Sequence, residues 1–308
     1  MSRFTYATIM GALAIGCAHL PFANGGPGLK QVAGVGFEAP ENVVYDSVAD
    51  VFLVSSMGHT GQTHDGDGFV SRVAPDGHVI TLRWISRGNS GEALDAPKGL
   101  AIRGDTLAVA DLGCVKMFDR RTGKHLRTIS LPGVVMNDVR WANDGTLWVT
   151  DTGPDRSKTP VDTTKDVDAL WRVDRDGRVE AVARGLALDR PDGLVLDETG
   201  ALVATFGANR IEHVDATGAR GQRTIVTLPG GRADGLRRLP DRALVATSWD
   251  AQAVWKIAPG GTPVPLLTHV PSPAGLAVDT RRNELAVTSV QKNALYLVPL
   301  DGSHPLQP

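Results

Sequence analysis

Residues 191–197 read PDGLVLD, a small turn followed by a short apolar strand, and phrases of this kind occur six times in the chain. The other copies are PENVVYD from Pro40, PKGLAI from Pro97, MNDVRWA from Met136, ADGLRRL from Ala233 and PAGLAVD from Pro273. The second residues of successive copies are 57, 39, 55, 42 and 40 residues apart. Steps near 40 residues are typical of the blades of a β-propeller. The repeat therefore predicts six blades.

Each copy opens a unit that contains about four short strands. In the second unit, GLAI, TLAVAD, CVKMFDR and HLRTIS are apolar or alternating runs separated by turn residues. The sixth unit has no outer strand after Leu300, whereas LKQVAG from Leu29 precedes the first unit. We expect this N-terminal strand to complete the sixth blade and close the ring, which removes two exposed sheet edges. The predicted fold is an all-β, six-bladed β-propeller with four antiparallel strands per blade, over residues 29–302.

The composition agrees with one large domain. The chain has 308 residues, of which 42% are hydrophobic, and its 35 Gly and 19 Pro suit a fold with many tight turns. A formal net charge of −2 gives no general attraction to nucleic acid. We expect a monomer that acts on a small-molecule partner.

Residues 1–23 have the features of an export signal. Arg3 precedes FTYATIMGALAIG, an apolar stretch of signal-peptide length that is too short to span a bilayer comfortably. The run LAIGC, which ends at Cys17, resembles a bacterial lipobox, in which the cysteine is lipidated. The alternative is ordinary cleavage near Ala18 or Ala23. Either way we expect an exported protein, periplasmic or anchored to the cell-envelope membrane through Cys17.

The second residue of each phrase opens a predicted inner strand, so a propeller brings all six side chains to one mouth of its central channel. These anchor residues are Glu41, Lys98, Asn137, Asp192, Asp234 and Ala274. Three converging carboxylates repel one another unless a cation lies among them, and oxygen ligands favour Ca²⁺ over softer metals. The pattern predicts one divalent metal, Ca²⁺ first and Zn²⁺, Mn²⁺ or Mg²⁺ as alternatives. The predicted ligands are Glu41, Asn137, Asp192 and Asp234.

Two other interpretations stay open for these residues. Asp followed by Gly is a common turn pair before a strand, so a single copy would indicate turn chemistry only. The ammonium group of Lys98 could neutralise a carboxylate and give an ion-paired plug without a metal.

Cys114 has no disulfide partner once Cys17 is removed or lipidated, and a lone cysteine is more often a small buried side chain than a nucleophile.

Three stretches carry a family resemblance: NDVRWANDGTLWVTD at residues 137–151, PDGLVLDETGALVAT from Pro191 and ADGLRRLPDRALVATS from Ala233. They resemble the senescence marker protein and gluconolactonase family, also called regucalcin-like, which has six-bladed propellers; paraoxonases and strictosidine synthases are more distantly similar. The resemblance covers about residues 37–300. It implies that Glu41, Asp192 and Asp234 bind one divalent ion, with Asn137 nearby, and that Asp234 is the catalytic base.

The chain departs from the family pattern at two positions. Asp192 stands where the family has Asn, which adds negative charge to the site. Val135 stands where the sugar lactonases of the family have Arg, so we expect a substrate more apolar than a polyhydroxylated lactone, or of a different shape.

These observations lead to two functional interpretations. A metal at the channel mouth would polarise a carbonyl group and acidify water, as opening of a lactone or ester requires. The first is therefore an exported, divalent-metal-dependent hydrolase of a lactone or related ester. No GxSxG, HExxH, P-loop or CxxC motif supports a competing chemistry. The second is a non-catalytic propeller that binds a ligand or protein, with a structural calcium or an ion-paired mouth. Pairing of Lys98 with Glu41 or Asp192 would favour the second.

Two long connections should overhang the metal site. They are MGHTGQTHDGDG from Met57 and TGPDRSKTPVDTTKDVDA from Thr152, and they are either lids or tolerated surface insertions. Trp249 and Phe206, in shorter loops of the same face, would form an apolar wall or pack between blades. The predicted substrate-binding residues are Lys98, His59, His64 and Trp249. A separate metal site in the first loop is disfavoured, because its spacing does not fit an EF-hand.

Overall fold

A computed structural model describes residues 28–59, 63–154, 168–217, 221–302 and 305–308. The predicted export signal, residues 1–23, lies outside these ranges. The described residues form 22 β-strands and one 3₁₀ turn at Leu186–Leu188. None of them belongs to a helix with the length and apolar character needed to cross a bilayer.

The strands form five antiparallel hydrogen-bonded sheets. Strand β1 is Lys30–Val32 and belongs to the last sheet. The first sheet has the order β2-β3-β4-β5, with bounds Pro40–Asp46, Val51–Ser56, Phe69–Val73 and Val79–Ile85. The second contains six strands, β6 to β11, with bounds Leu100–Arg103, Thr106–Asp119, His125–Trp141, Leu147–Asp151, Ala169–Val173 and Val179–Arg184.

The remaining three sheets have four strands each. The third has the order β12-β13-β14-β15, with bounds Pro191–Leu196, Gly200–Thr205, Arg210–Asp215 and Gln222–Thr227. The fourth has the order β16-β17-β18-β19, with bounds Ala233–Arg238, Leu244–Ser248, Ala253–Ile257 and Pro263–Leu267. The fifth joins β20 (Pro273–Asp279), β21 (Glu284–Ser289) and β22 (Ala294–Pro299) to β1, in the order β1-β22-β21-β20. The predicted all-β propeller with antiparallel four-stranded blades is confirmed.

The described strands form five hydrogen-bonded sheets where six blades were predicted, because the second and third sequence units share one six-stranded sheet. Strands β7 and β8 are 14 and 17 residues long. Strand β7 pairs with β6 through residues 106–109, and with β8 through residues 112–118. Leu112 pairs with Val135 beside the short connection at Gly113, and this contact joins the two units into one sheet.

The last sheet packs against the first. Strand β1 pairs with β22, with Lys30 opposite Leu297. The Thr288 hydroxyl on β21 donates a hydrogen bond to the Glu41 carbonyl on β2, at 2.8 Å. Apolar side chains of both sheets form one buried cluster, which includes Phe52 and Leu295. Burial of such apolar surface between neighbouring sheets is the main stabilising contribution in this architecture.

The inner strands approach one another closely along the channel. A Cβ atom on Gly193 would lie 2.3 Å from the Asp234 carbonyl oxygen, and one on Gly235 would lie 2.3 Å from the Ala274 carbonyl oxygen. A side chain at either position would collide with the backbone of the next inner strand, which cannot move independently of its sheet. At these two positions the glycine after the anchor residue is therefore required for close approach.

Candidate metal centre

A β-bulge at the start of five of the six inner strands orients the anchor residues, whereas Lys98 lies just before β6, which pairs with β7 without a bulge. In β12, Pro191 pairs with Thr205, but the next pair is Leu194 with Val203, so Asp192 and Gly193 lie opposite a single residue. The same irregularity occurs at the start of β2, in β8 at Met136, and at the start of β16 and β20. Bulges commonly redirect side chains in this way. All six anchor residues are buried, with at most 5% of their surface exposed.

The three carboxylates meet at the mouth of the channel, as the sequence predicts. Oxygen atoms of Glu41, Asp192 and Asp234 all lie within 4.8 Å of one another. The Asn137 side-chain amide donates hydrogen bonds to Asp192 Oδ2 at 2.8 Å and to Thr152 Oγ1 at 2.9 Å. These bonds fix the amide group and leave its oxygen free.

Two buried oxygen atoms of the site lack a partner among the described residues. They are Glu41 Oε2 and Asn137 Oδ1. Buried polar atoms are nearly always hydrogen-bonded or bound to an ion, so oxygen atoms of this kind beside a cluster of carboxylates are suited to a cation. Three carboxylates and an amide oxygen are the donor types that a hard divalent ion prefers. The residues present therefore fit a site for one such ion.

Burial dominates the electrostatics of the three acids. It raises the pKa of Asp192 and Asp234 well above the ordinary aspartate value, and it also raises the pKa of Glu41. Neighbouring carboxylates add to the increase for Asp192 and Asp234, and Lys98 opposes it at all three. Carboxyl groups that are hard to ionise without a metal are stabilised most, in their ionised form, by a cation bound among them.

Lys98 enters the channel mouth. Its ammonium nitrogen lies 3.6 Å from Glu41 Oε1 and 3.0 Å from the Met57 sulfur. This pairing is the outcome that favours an ion-paired mouth. One ammonium group faces three carboxylates, however, and Glu41 Oε2 stays without a partner among the described residues.

A second charged group lies further along the inner strands, and the sequence did not predict it. The buried Asp138 carboxylate pairs with Arg140 at 2.9 Å and Arg237 at 3.1 Å, and accepts the Leu194 backbone N–H at 2.9 Å. Burial raises the pKa of Asp138, which the nearby Arg140 partly offsets. The sequence does contain one indication of this buried charge, at the residue after the anchor. It is Gly in four units but Asn42 and Asp138 in the other two.

The two histidines are held by carboxylates of their own. His59 Nδ1 lies 3.2 Å from Asp67 Oδ2, and His64 Nδ1 lies 2.9 Å from Asp95 Oδ2. Their side chains are 73% and 72% exposed, so neither reaches the carboxylate cluster in this structure. Their role in substrate binding stays a prediction. The described residues form no metal-ligand cluster besides Glu41, Asp192 and Asp234.

The long connections lie where the sequence predicts them, between β3 and β4 and between β9 and β10. Residues 60–62 of the first and 155–167 of the second lie outside the described ranges. Whether these connections are lids stays a prediction.

Aromatic side chains flank the carboxylates in the third and fourth sheets. Phe206 and Trp249 contact each other edge to face, with ring centroids 5.4 Å apart. The Trp249 indole N–H lowers the pKa of Asp234, although it does not reach full hydrogen-bond geometry. The pair therefore both packs between sheets and borders the site.

Cys114 is buried, which raises the pKa of its thiol to about 12 and makes it unreactive.

No protein-family model matches the chain, and no curated protein sequence does. Similarity appears among solved structures. A gluconolactonase from Xanthomonas campestris superposes with a TM-score of 0.68 at 18% identity, over 88% of this chain and 89% of that one. A protein proposed to be a gluconolactonase gives 0.64 at 18% identity, over 88% and 92%. A luciferin-regenerating enzyme gives 0.64 at 14% identity, over 89% and 95%. The chain thus has the propeller fold of gluconolactonases, as the sequence resemblance implied.

Proposed function

We propose that the protein is a divalent-metal-dependent hydrolase of a lactone or related ester. The observation that carries this proposal is the convergence of three buried carboxylates within 4.8 Å, beside the unpartnered oxygens of Glu41 and Asn137. The gluconolactonase fold of its neighbours supports the same reaction class, although a fold alone does not determine chemistry.

Each residue of the site has a distinct part in this proposal. Glu41, Asp192 and the Asn137 oxygen hold the ion, for which Ca²⁺ is the first expectation. A divalent ion at this position supplies a Lewis acid for the substrate carbonyl and acidifies nearby water. Asp234 accepts the proton of the attacking water and passes it to the leaving alkoxide. The Trp249 indole N–H faces Asp234 and offsets a small part of the rise that burial causes in the pKa of that carboxyl group.

We also propose that the ring contains six blades. The halves of β7 and β8 form separate ladders, to β6 and to β9, around the Leu112–Val135 contact. Buried apolar clusters lie between consecutive units all round the ring, including one between the last sheet and the first. Strand β1, paired with β22, then supplies the outer strand that closes the sixth blade.

Export is a separate proposal that rests on residues 1–23 alone. We propose that the chain is cleaved near Ala18 or Ala23, or lipidated at Cys17, and functions in the periplasm or on the envelope membrane. Mass spectrometry of the mature N-terminus tests both routes. An intact Met1 on protein from the native host would contradict export.

The hydrolase proposal is tested with a panel of lactones and aryl esters. Activity of purified protein should disappear on chelation and return with Ca²⁺ or another divalent ion. Asp234→Asn should lower kcat by about 10²-fold or more, as expected for loss of a general base, and should leave the fold intact. Activity that persists in chelator, or in the Asp234→Asn variant, would contradict the proposal.

A second candidate is a non-catalytic binding propeller. The contact between Lys98 and Glu41, at 3.6 Å, favours it, because an ammonium group already occupies part of the mouth. In that case no substrate of the panel would be turned over, and Lys98 with its carboxylates would serve as a structural plug. Two measurements distinguish the candidates: whether the protein binds a divalent ion, and how much the Lys98→Met substitution changes its unfolding temperature.

A further inference from the structure

A second ring of residues lies just outside the anchor ring. It consists of the residue two positions before each anchor: Ala39, Ala96, Val135, Arg190, Arg232 and Ser272. Four of the six have a left-handed backbone, which is strained for residues with a side chain: the φ angle is 49° in Ala39, 61° in Arg190, 54° in Arg232 and 47° in Ser272. The conformation therefore belongs to the repeat, and Arg190 and Arg232 are the two charged residues of this ring.

The two arginines occupy equivalent places. The Arg190 carbonyl accepts the Phe206 backbone N–H at 2.9 Å, and the Arg232 carbonyl accepts that of Trp249 at 3.1 Å. The guanidinium of Arg190 lies 5.0 Å from the Phe206 ring centroid, and that of Arg232 lies 5.2 Å from the Trp249 centroid. Both cations therefore stack on the aromatic pair that borders the carboxylate cluster.

The two arginines differ in their ion-pair partners. Arg232 forms an ion pair with Asp250, including a bond from Nε at 2.8 Å. Arg190 has no carboxylate partner among the described residues, and its buried Nε donates to none of them. Its position is nonetheless fixed, because its backbone N–H donates to Asp168 Oδ2 at 2.7 Å. Among the described residues Arg190 therefore has no ion-pair partner, although its charge partly offsets the rise that burial causes in the pKa of Asp192.

The opposite side of the mouth is apolar. Ala96, Leu112 and Val135 are buried together, and Met57 packs against them. The carboxylate cluster is thus bordered by the Met57 side chain, whose sulfur lies 3.0 Å from Lys98 Nζ, and by the aromatic pair with the guanidinium of Arg190.

We propose that Arg190 binds an anionic substituent of the substrate. The substrate class is then a lactone or ester that carries a carboxylate or phosphate group next to an apolar or aromatic body. A guanidinium stacked on an aromatic ring presents its N–H groups in the plane that carboxylate and phosphate oxygens require. This inference rests on the proposed function for the reaction, but the anion site itself does not depend on catalysis.

Binding of unreactive probes tests the anion site. We would titrate calcium-loaded protein with phenylacetate, its neutral analogue phenylacetamide, and phenyl phosphate, using calorimetry. The wild type should bind at least one anion about tenfold more tightly than the amide, the usual size of one charge-assisted contact. Arg190→Gln should abolish this preference and Arg190→Lys should retain part of it. The stronger of the two anions identifies the group.

Arg72→Gln is the matched control, since Arg72 also stacks on an aromatic ring, with its guanidinium 5.3 Å from the Trp84 centroid. It should leave the preference unchanged. An anion preference that survives in Arg190→Gln would overturn the proposal, because the metal ion would then be the anion site. A wild type without any preference would overturn it as well. Unfolding temperatures of the variants show whether each is folded.

Hydrolysis separates this inference from the proposed function. The substrates are a γ-lactone with a ring carboxylate and the same lactone with a neutral amide. If Arg190→Gln lowers kcat/KM about tenfold for the carboxylate-bearing lactone and leaves that for the neutral lactone unchanged, both proposals are supported. If both lactones react equally in the wild type, the hydrolase stands and the role of Arg190 fails. If neither reacts but the binding preference depends on Arg190, the anion site stands and the hydrolase fails.

Discussion

Replacing Asp192 by asparagine should stabilise the metal-free protein. Ligand atoms of Asp192 lie within 4.8 Å of those of Glu41 and Asp234. Two unit charges at such a distance repel by about 3.5 kcal/mol at an effective dielectric constant of about 20. Asparagine removes the charge from two such pairs, and its side-chain oxygen can still accept the bond from Asn137, which is 2.8 Å long in the wild type.

Two effects reduce this gain. Lys98 attracts the Asp192 charge, and the raised pKa of the acids lets the wild type relieve part of the repulsion by protonation. We therefore expect the metal-free variant to be about 2–4 kcal/mol more stable at pH 8, which raises Tm by about 5–10 °C. With Ca²⁺ present the order should reverse, because the variant has lost a charged ligand.

Thermal unfolding followed by circular dichroism, in chelator and in excess Ca²⁺, measures both effects. Glu198→Gln is the control, since it removes an exposed carboxylate from the loop after β12 and should change Tm little in either condition. A metal-free Asp192→Asn protein that is less stable than the wild type by 1 kcal/mol or more would refute the reasoning. It would show that Asp192 and Lys98 form an ion-paired plug.

The other predictions concern the same mouth and the strands that build it. Lys98→Met should lower the Tm of the metal-free protein, since the carboxylates lose a nearby ammonium group, and should tighten Ca²⁺ binding by about tenfold in calorimetry; unchanged affinity would exclude competition between Lys98 and the ion. The Tm of the metal-free protein should fall as the pH rises above the ordinary Asp value of 3.8, because a carboxyl group with a raised pKa in the folded state stabilises the fold below its unfolded pKa and loses this contribution as it ionises. In a pH series in chelator, Asp234→Asn should show a smaller fall, and an equal one would contradict the assignment. Gly193→Ala should cost about 2 kcal/mol or more in urea unfolding, because its Cβ would lie 2.3 Å from a carbonyl oxygen, whereas Gly302→Ala, with its nearest neighbour at 3.8 Å, should be nearly neutral.

The convergence of the carboxylates could be predicted because it follows from the repeat. Glu41, Asp192 and Asp234 occupy the same register of their units, and a propeller brings every inner strand to one channel. The steps of 57 and 55 residues likewise placed the long connections between second and third strands.

What the sequence could not predict depends on contacts between units. The single sheet of the second and third units arises from the pairing of Leu112 with Val135, two residues whose chemistry is ordinary for a strand. The direction of the Lys98 side chain is decided by Glu41 and by the Met57 sulfur, which come from another unit. His59 is drawn away from the site by Asp67, a neighbour in its own loop.

Arg190 was missed for a different reason. Its place in the repeat, two residues before the anchor, is visible in the sequence, but no residue type is common to the six units there, and Arg occurs in two of them. Only the structure shows that Arg232 is neutralised by Asp250 and that Arg190 has no such partner among the described residues.

The most direct test of the account is the stoichiometry of ion binding together with turnover of a lactone. Calorimetry and elemental analysis of the purified protein should give one divalent ion per chain, lost in Glu41→Gln, and hydrolysis should appear only when the ion is present. Protein that binds no ion and hydrolyses no lactone would contradict the central claim and leave the Lys98 plug as the explanation of the acidic mouth.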